Sequence, residues 1–157
     1  MKLQDFEASL LAHLPTTYAL LLSSNLAVHP AVSRVVVHGS RGLAGGYRPD
    51  SDIDLSLIVE MPPALSPPER DRLLHAIWEA TLAAWQSPIE LDLALVFDAR
   101  GCGLQCFDQP QWDASRCGGG VDCFGLYKAM KGFNGLITDA GIQVQRMLPC
   151  LTIWRRA

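Results

Sequence analysis

The sequence is short of charge, and no long apolar stretch runs uninterrupted. Only 18% of its 157 residues are Asp, Glu, Lys or Arg, against a typical ~25%. Hydrophobic residues make up 49%, which excludes intrinsic disorder, since a disordered chain needs low hydrophobicity and high charge. A basic surplus is missing too: 13 Lys and Arg stand against 16 Asp and Glu, a net charge of −3. Long nucleic acid is captured by a basic face, so this balance disfavours it as a partner. Between Glu7 and Arg34 there is no charged residue, yet Pro15, Thr16-Thr17 and Ser23-Ser24-Asn25 break the segment. No run of ~20 apolar residues survives to cross a membrane, and no membrane partner is expected. The start, Met1-Lys2-Leu3-Gln4-Asp5-Phe6-Glu7, carries two acids where an export signal needs cations. The expectation is a cytoplasmic protein whose five cysteines are thiols or metal ligands rather than disulfides.

The length fits one domain, 1–157. Residues 3–14 and 16–28 read as two helices separated at Pro15, with Thr16 as N-cap. Val35-Val36-Val37 is a short β-branched run ending at Gly39, as in a buried strand. Residues 52–60 alternate with period two at first and predict a second strand. Ser66-Pro67-Pro68-Glu69 combines an N-cap, a proline at the first helical position and a capping box. Behind it Leu73, Leu74, Ile77, Trp78, Leu82 and Trp85 recur at helical spacing. Pro88 ends that helix, and 89–97 predicts a third strand with Ile89, Leu91, Leu93 and Leu95 on one face. Residues 100–157 form a C-terminal extension in which 141–146 and 150–154 read as a β-hairpin around Pro149. The order of elements predicts an α/β (α+β) domain, a mixed β-sheet flanked by helices.

The acidic surplus lies toward the front. Residues 1–100 hold seven basic and twelve acidic side chains, and 101–157 hold six and four. Gly39-Ser40 follows the first strand directly, and eleven residues separate Ser40 from Asp52. Asp52-Ile53-Asp54 opens the second strand, and strand periodicity projects Asp52 and Asp54 together while Ile53 and Leu55 enter the core. A third acid, Asp92, lies in the third strand, with Glu90 on the same face as its alternative. Close carboxylates repel, and a hard divalent cation relieves them while leaving positions open for water and phosphate. Beside such a cation Gly39-Ser40 makes a phosphate seat, because glycine lets the backbone approach and successive N–H groups with a hydroxyl donate. Arg41 and Arg48 flank that turn as candidate phosphate partners or ordinary surface charges.

Val37-His38-Gly39-Ser40-Arg41-Gly42, followed by Ser51-Asp52-Ile53-Asp54-Leu55, resembles the nucleotidyltransferases of the DNA polymerase β superfamily, and most closely its minimal members. The core of the resemblance spans residues 30–97. It implies transfer of a nucleoside monophosphate from a nucleoside triphosphate such as ATP to a hydroxyl, with two Mg²⁺ ions (or Mn²⁺ in their place). Carried over, Asp52, Asp54 and Asp92 hold the metals, and Gly39, Ser40, Arg41 and Arg48 bind the nucleotide. A protein side chain or a small molecule suits the acceptor better than long nucleic acid. A small helical partner protein is a further implication. The alternative is a non-catalytic nucleotide-binding or antitoxin-like module on the same fold.

Other features carry blander readings. His38 reads as structural, and the Trp78/Trp85 stripe as core rather than a stacking platform. Cys102, Cys106, Cys117 and Cys123 are enough ligands for Zn²⁺, but their spacings depart from the usual C-x₂-C pattern. Buried or loop thiols are the simpler expectation.

Overall fold

The computed structural model describes residues 6–98, 104, 107, 124–129, 136–137 and 149–156. It has a mixed sheet with helices, the α+β class that the sequence predicts. In chain order the elements are α1 (Ala8–His13), α2 (Pro15–Ser23), β1 (Val32–His38), β2 (Ile53–Val59), α3 (Pro67–Ala84), β3 (Leu91–Asp98), β4 (Phe124–Ala129), β5 (Leu136–Ile137) and β6 (Leu151–Arg155). The six strands lie in the order β5-β4-β3-β2-β1-β6. Among the described residues only β2 and β3 run parallel, and α3 supplies the crossover that a parallel pair needs; every other pair is antiparallel.

Strand periodicity sorts the side chains. Val35, Val37, Ile53, Leu55, Leu57, Leu93 and Leu95 face the helices, where Leu10, Leu21, Leu74 and Ile77 meet them in one buried cluster. Val36, Ile58, Ala94 and Val96 point to the opposite face, into a second cluster with Leu104, Phe107, Phe124 and Leu126. The β3–β4 pairing is keyed by a missing side chain. Phe97 lies opposite Gly125, and a Cβ there would fall inside the Phe97 ring.

Local expectations hold best where the signal is short-range. Ser66 caps α3, its hydroxyl accepting from the Glu69 amide at 3.3 Å and donating to Glu69 Oε1 at 2.8 Å. Several boundaries differ. The first helix begins at Ala8, with Glu7 at the N-cap position, rather than at residue 3, and ends at His13. Pro15 begins α2 at its first turn instead of preceding it, with Leu14, not Thr16, at the N-cap position. That helix stops at Ser23, short of residue 28. Ser24 Oγ donates to the Leu21 carbonyl at 2.8 Å and accepts from the Leu26 amide, and Asn25 turns to φ 57. Such side chains compete with the helix for backbone partners. The third strand begins at Leu91 rather than 89: Ile89 N–H bonds to Ser87 Oγ, and the ladder with β2 opens at the Ile53–Leu91 pair, where Ile53 N–H donates to the Glu90 carbonyl. The last strand pairs with β1; the other arm of the expected hairpin, 141–146, lies outside the described residues. No described helix is long and apolar enough to cross a membrane.

Candidate active site

Two aspartates come together because β2 and β3 are parallel and in register. Asp54 is the second residue of β2 and Asp92 the second of β3, and the two are partners across the ladder. Each stands two residues before a buried neighbour on the second face, Ser56 and Ala94. Their carboxylates therefore emerge where that face reaches its end. Asp52 lies just outside β2 and is exposed. One carboxylate oxygen from each of Asp52, Asp54 and Asp92 falls within 4.8 Å of the others, so these three could together hold a metal ion. They are the only such group of three or more acids, histidines or cysteines among the described residues. Glu90, the alternative third acid, is exposed ahead of β3 and stands outside this group.

On its other side Asp54 is the ladder partner of His38. The next residue, Gly39, turns the chain with φ +71, and a Cβ there would approach Asp54 Oδ2 closer than 3.0 Å. Glycine is thus required twice, for its dihedral angle and for the space that the Asp54 carboxylate fills. Consecutive turns follow, with Gly42 N–H donating to the Gly39 carbonyl at 3.0 Å and Gly45 N–H to that of Gly42 at 3.2 Å. Ser40 lies in the first of these turns, half-buried, with turns rather than a helix after it. His38 is buried and shares a 2.8 Å hydrogen bond with Ser56 Oγ, the structural role expected of it.

The two flanking arginines separate in role. Arg41 is 4% exposed. Its guanidinium donates to the carbonyls of Ser51 at 2.8 Å and of Arg48 and Pro49 at 3.3 Å, and it lies 4.7 Å from the Tyr47 ring centroid. It fastens the 41–51 loop that leads into Asp52. Arg48 keeps 83% of its side chain exposed, at 4.0 Å from Asp50.

Lys128, on β4, is the functional residue that sequence reasoning missed. Its Nζ lies 2.9 Å from Asp92 Oδ1 and 3.2 Å from Oδ2. A lone lysine in the apolar run Phe124–Ala129 is the only signal the sequence offers, and without the β3–β4 pairing it names no partner.

The electrostatics of the cluster are uneven. Burial above all, then the hydrogen bond to Asp92 and the charges of Asp52 and Asp92, push the Asp54 carboxyl up to about 7. Burial also acts to raise Asp92, but the hydrogen bonds with Asp54 and Lys128 and the Lys128 charge outweigh it and hold Asp92 below its ordinary value. Below about pH 7 a proton thus rests on Asp54 while Asp92 is the more readily ionised of the two. Carboxylates that crowd until one takes a proton are the donor set that a hard divalent cation relieves.

Two hollows meet at this point. A depression of about 270 Å³ is lined by Gly39, Ala44, Asp54, Asp92, Lys128 and Pro149. A cleft of about 700 Å³ opens beside it, lined by Asp52, Asp92 and Lys128 and by Trp78, Trp85 and Glu90. The two tryptophans pack against the core as expected, yet they also form a wall of this cleft. Trp85 is locked in place by its Nε1–H bond to the Ile89 carbonyl at 2.8 Å. Cys102, Cys106, Cys117 and Cys123 lie outside the described residues, and the described Cys150 is buried, its thiol donating to the Phe107 carbonyl at 3.7 Å. Comparison with protein-family models, with curated proteins and with solved structures finds no match for this chain.

Proposed function

We propose that this protein is a metal-dependent nucleotidyltransferase that moves a nucleoside monophosphate from a nucleoside triphosphate to a hydroxyl acceptor. One observation carries the reading: the in-register pairing of Asp54 with Asp92, with Asp52 alongside and a side-chain-free turn at Gly39 packed on Asp54. Held by these carboxylates, Mg²⁺ or Mn²⁺ would supply Lewis-acid activation of the hydroxyl and neutralise charge on the triphosphate. Asp52 and Asp54 stand nearest the Gly39–Ser40 turn in sequence and would fix the triphosphate end. The backbone at Gly39 and the Ser40 hydroxyl offer donors to its oxygens. In the transfer a bond forms between the acceptor oxygen and the α-phosphorus as the bond to the β-phosphate breaks. Pyrophosphate leaves with the electron pair, and the hydroxyl proton passes to the anionic carboxylate of Asp92.

The volume and character of the larger cleft favour a small molecule as acceptor. It reaches Asp92 from the side of Trp78 and Trp85, and its charged residues among those described are Asp52, Glu90, Asp92 and Lys128. Three acids and one base repel a polyanion, in keeping with the net charge of −3.

Incubation with each of the four triphosphates, labelled at the α-phosphate, in Mg²⁺ or Mn²⁺ and with a panel of hydroxyl compounds tests the reading. Cation-dependent pyrophosphate release with label transfer supports it. Nucleotide binding without release would leave a binding module instead.

A further inference from the structure

We infer that Lys128 is a built-in second cation, so that the carboxylate cluster takes one divalent ion, on Asp52 and Asp54, while Asp92 is served by the Lys128 ammonium. This rests on the transferase reading above and departs from the two ions that the family resemblance implies. The first support is contact. Lys128 Nζ reaches both oxygens of Asp92, at 2.9 and 3.2 Å, so the carboxylate edge that a second ion would grip already faces a cation. The second is that this contact is held by the fold. Phe124 and Leu126 are buried in the second-face cluster, and a period of two puts Lys128 on that same face, at the end where Asp92 emerges. The Lys128 and Asp92 side chains are only 27% and 32% exposed, so water screens the pair less than it would at the surface.

The third support is charge. Three carboxylates carry −3 when ionised and Lys128 returns +1, leaving −2, which one divalent ion cancels. A second ion in a two-ion site would stand about 3.5–4 Å from the first, crowded against an ammonium already on Asp92. Position supplies the fourth. Lys128 lines both the small depression beside Gly39 and the large cleft beside Trp78 and Trp85. It therefore stands where a nucleotide entering from one side and an acceptor entering from the other would meet.

Counting bound Mn²⁺ by electron paramagnetic resonance tests this on the full chain, with Mn²⁺ alone and with Mn²⁺ plus α,β-methylene-ATP, whose methylene bridge blocks transfer. The wild-type protein should hold one Mn²⁺ with an uncoupled spectrum. Lys128→Met should hold two, with the exchange-coupled spectrum of a close pair, and Lys128→Arg should stay at one. Two coupled ions in the wild type overturn the inference while the transferase reading stands. An unchanged count in Lys128→Met overturns it likewise. No Mn²⁺ in the wild type under either condition removes the metal reading itself, and the inference with it. Should Lys128→Met fail to fold, the wild-type and Lys128→Arg counts decide, since two ions in either is fatal.

Discussion

Asp54 and Asp92 face each other across the parallel ladder and share a hydrogen bond, and below about pH 7 the proton lies on Asp54 and the charge on Asp92. The asymmetry has a source in β4, because Lys128 reaches Asp92 at 2.9 Å and favours its ionised form. It also gives the cation-free protein a pH dependence opposite to that of an ordinary salt-bridged acid. Asp54 titrates from 3.8 unfolded to about 7 folded, so the native state binds the extra proton between those values. Stability from this group is therefore present in acid and is lost as pH rises through about 7. Asp92, held low, acts the other way, and only in acid around and below 3.8. Between pH 5 and 8 the Asp54 effect stands alone in this pair. In EDTA the melting temperature should fall over that interval, and excess Mg²⁺ should restore it at pH 8. A melting temperature that rises from pH 5 to 8 in EDTA refutes the assignment.

Replacing Asp54 with Asn separates the fold from the chemistry. The amide keeps the shape and removes the charge that is costly to bury, so the variant should melt no lower than wild type in EDTA at pH 8. Its pH dependence between 5 and 8 should flatten. Nucleotide transfer should fall by about 10²–10³-fold or more, the loss typical of deleting one charge-stabilising group. Thermal melts and pyrophosphate release on the same preparations check both halves. Retained turnover would remove Asp54 from the site.

The sequence carries this site as far as local rules reach. Gly39-Ser40, Asp52, Asp54 and Asp92 are readable because each is tied to a strand by periodicity, and Ser66 because a capping box is contained in four residues. Lys128 is not readable, since its meaning depends on β4 pairing with β3 at a distance of some thirty positions in the chain. The pairing of the last strand with β1, far upstream, is hidden from the sequence in the same way. The end of α2 is not readable either, since apolar spacing continues through Leu26 and Val28 while Ser24 diverts the backbone hydrogen bonds and Asn25 turns the chain.

Gly39→Ala should be costly for two reasons that a double mutant can separate. The φ of +71 penalises any side chain, by about 1–2 kcal/mol for an ordinary residue. The new Cβ also meets the Asp54 carboxylate. Trimming that carboxylate in Asp54→Ala removes the collision but leaves the dihedral cost. The Gly39→Ala/Asp54→Ala protein should therefore lose less stability than the sum of the single variants, by urea denaturation. Strict additivity would mean that the two residues do not touch.

Arg41 and Arg48 make a controlled pair, seven residues apart, with the same charge in opposite surroundings. Arg41 is buried, and its guanidinium donates to three loop carbonyls. Its own carbonyl accepts from Thr17 Oγ1 at 2.6 Å, which ties the loop to α2. Arg41→Ala leaves those carbonyls short of a charged donor, and hydrogen bonds to charged groups contribute about 1.5–3 kcal/mol each. Loss of at least 2 kcal/mol on urea denaturation is expected, on the scale of roughly one such bond. Transfer activity should fall with it, because the loop delivers Asp52 to the cluster. Arg48→Ala removes only an exposed side chain 4.0 Å from Asp50, so its stability should change by less than about 0.5 kcal/mol. If Arg48 nevertheless contacts the triphosphate, Arg48→Ala will raise the KM for nucleotide while its urea midpoint stays at the wild-type value. Equal stability losses in the two variants would contradict the role assigned to Arg41.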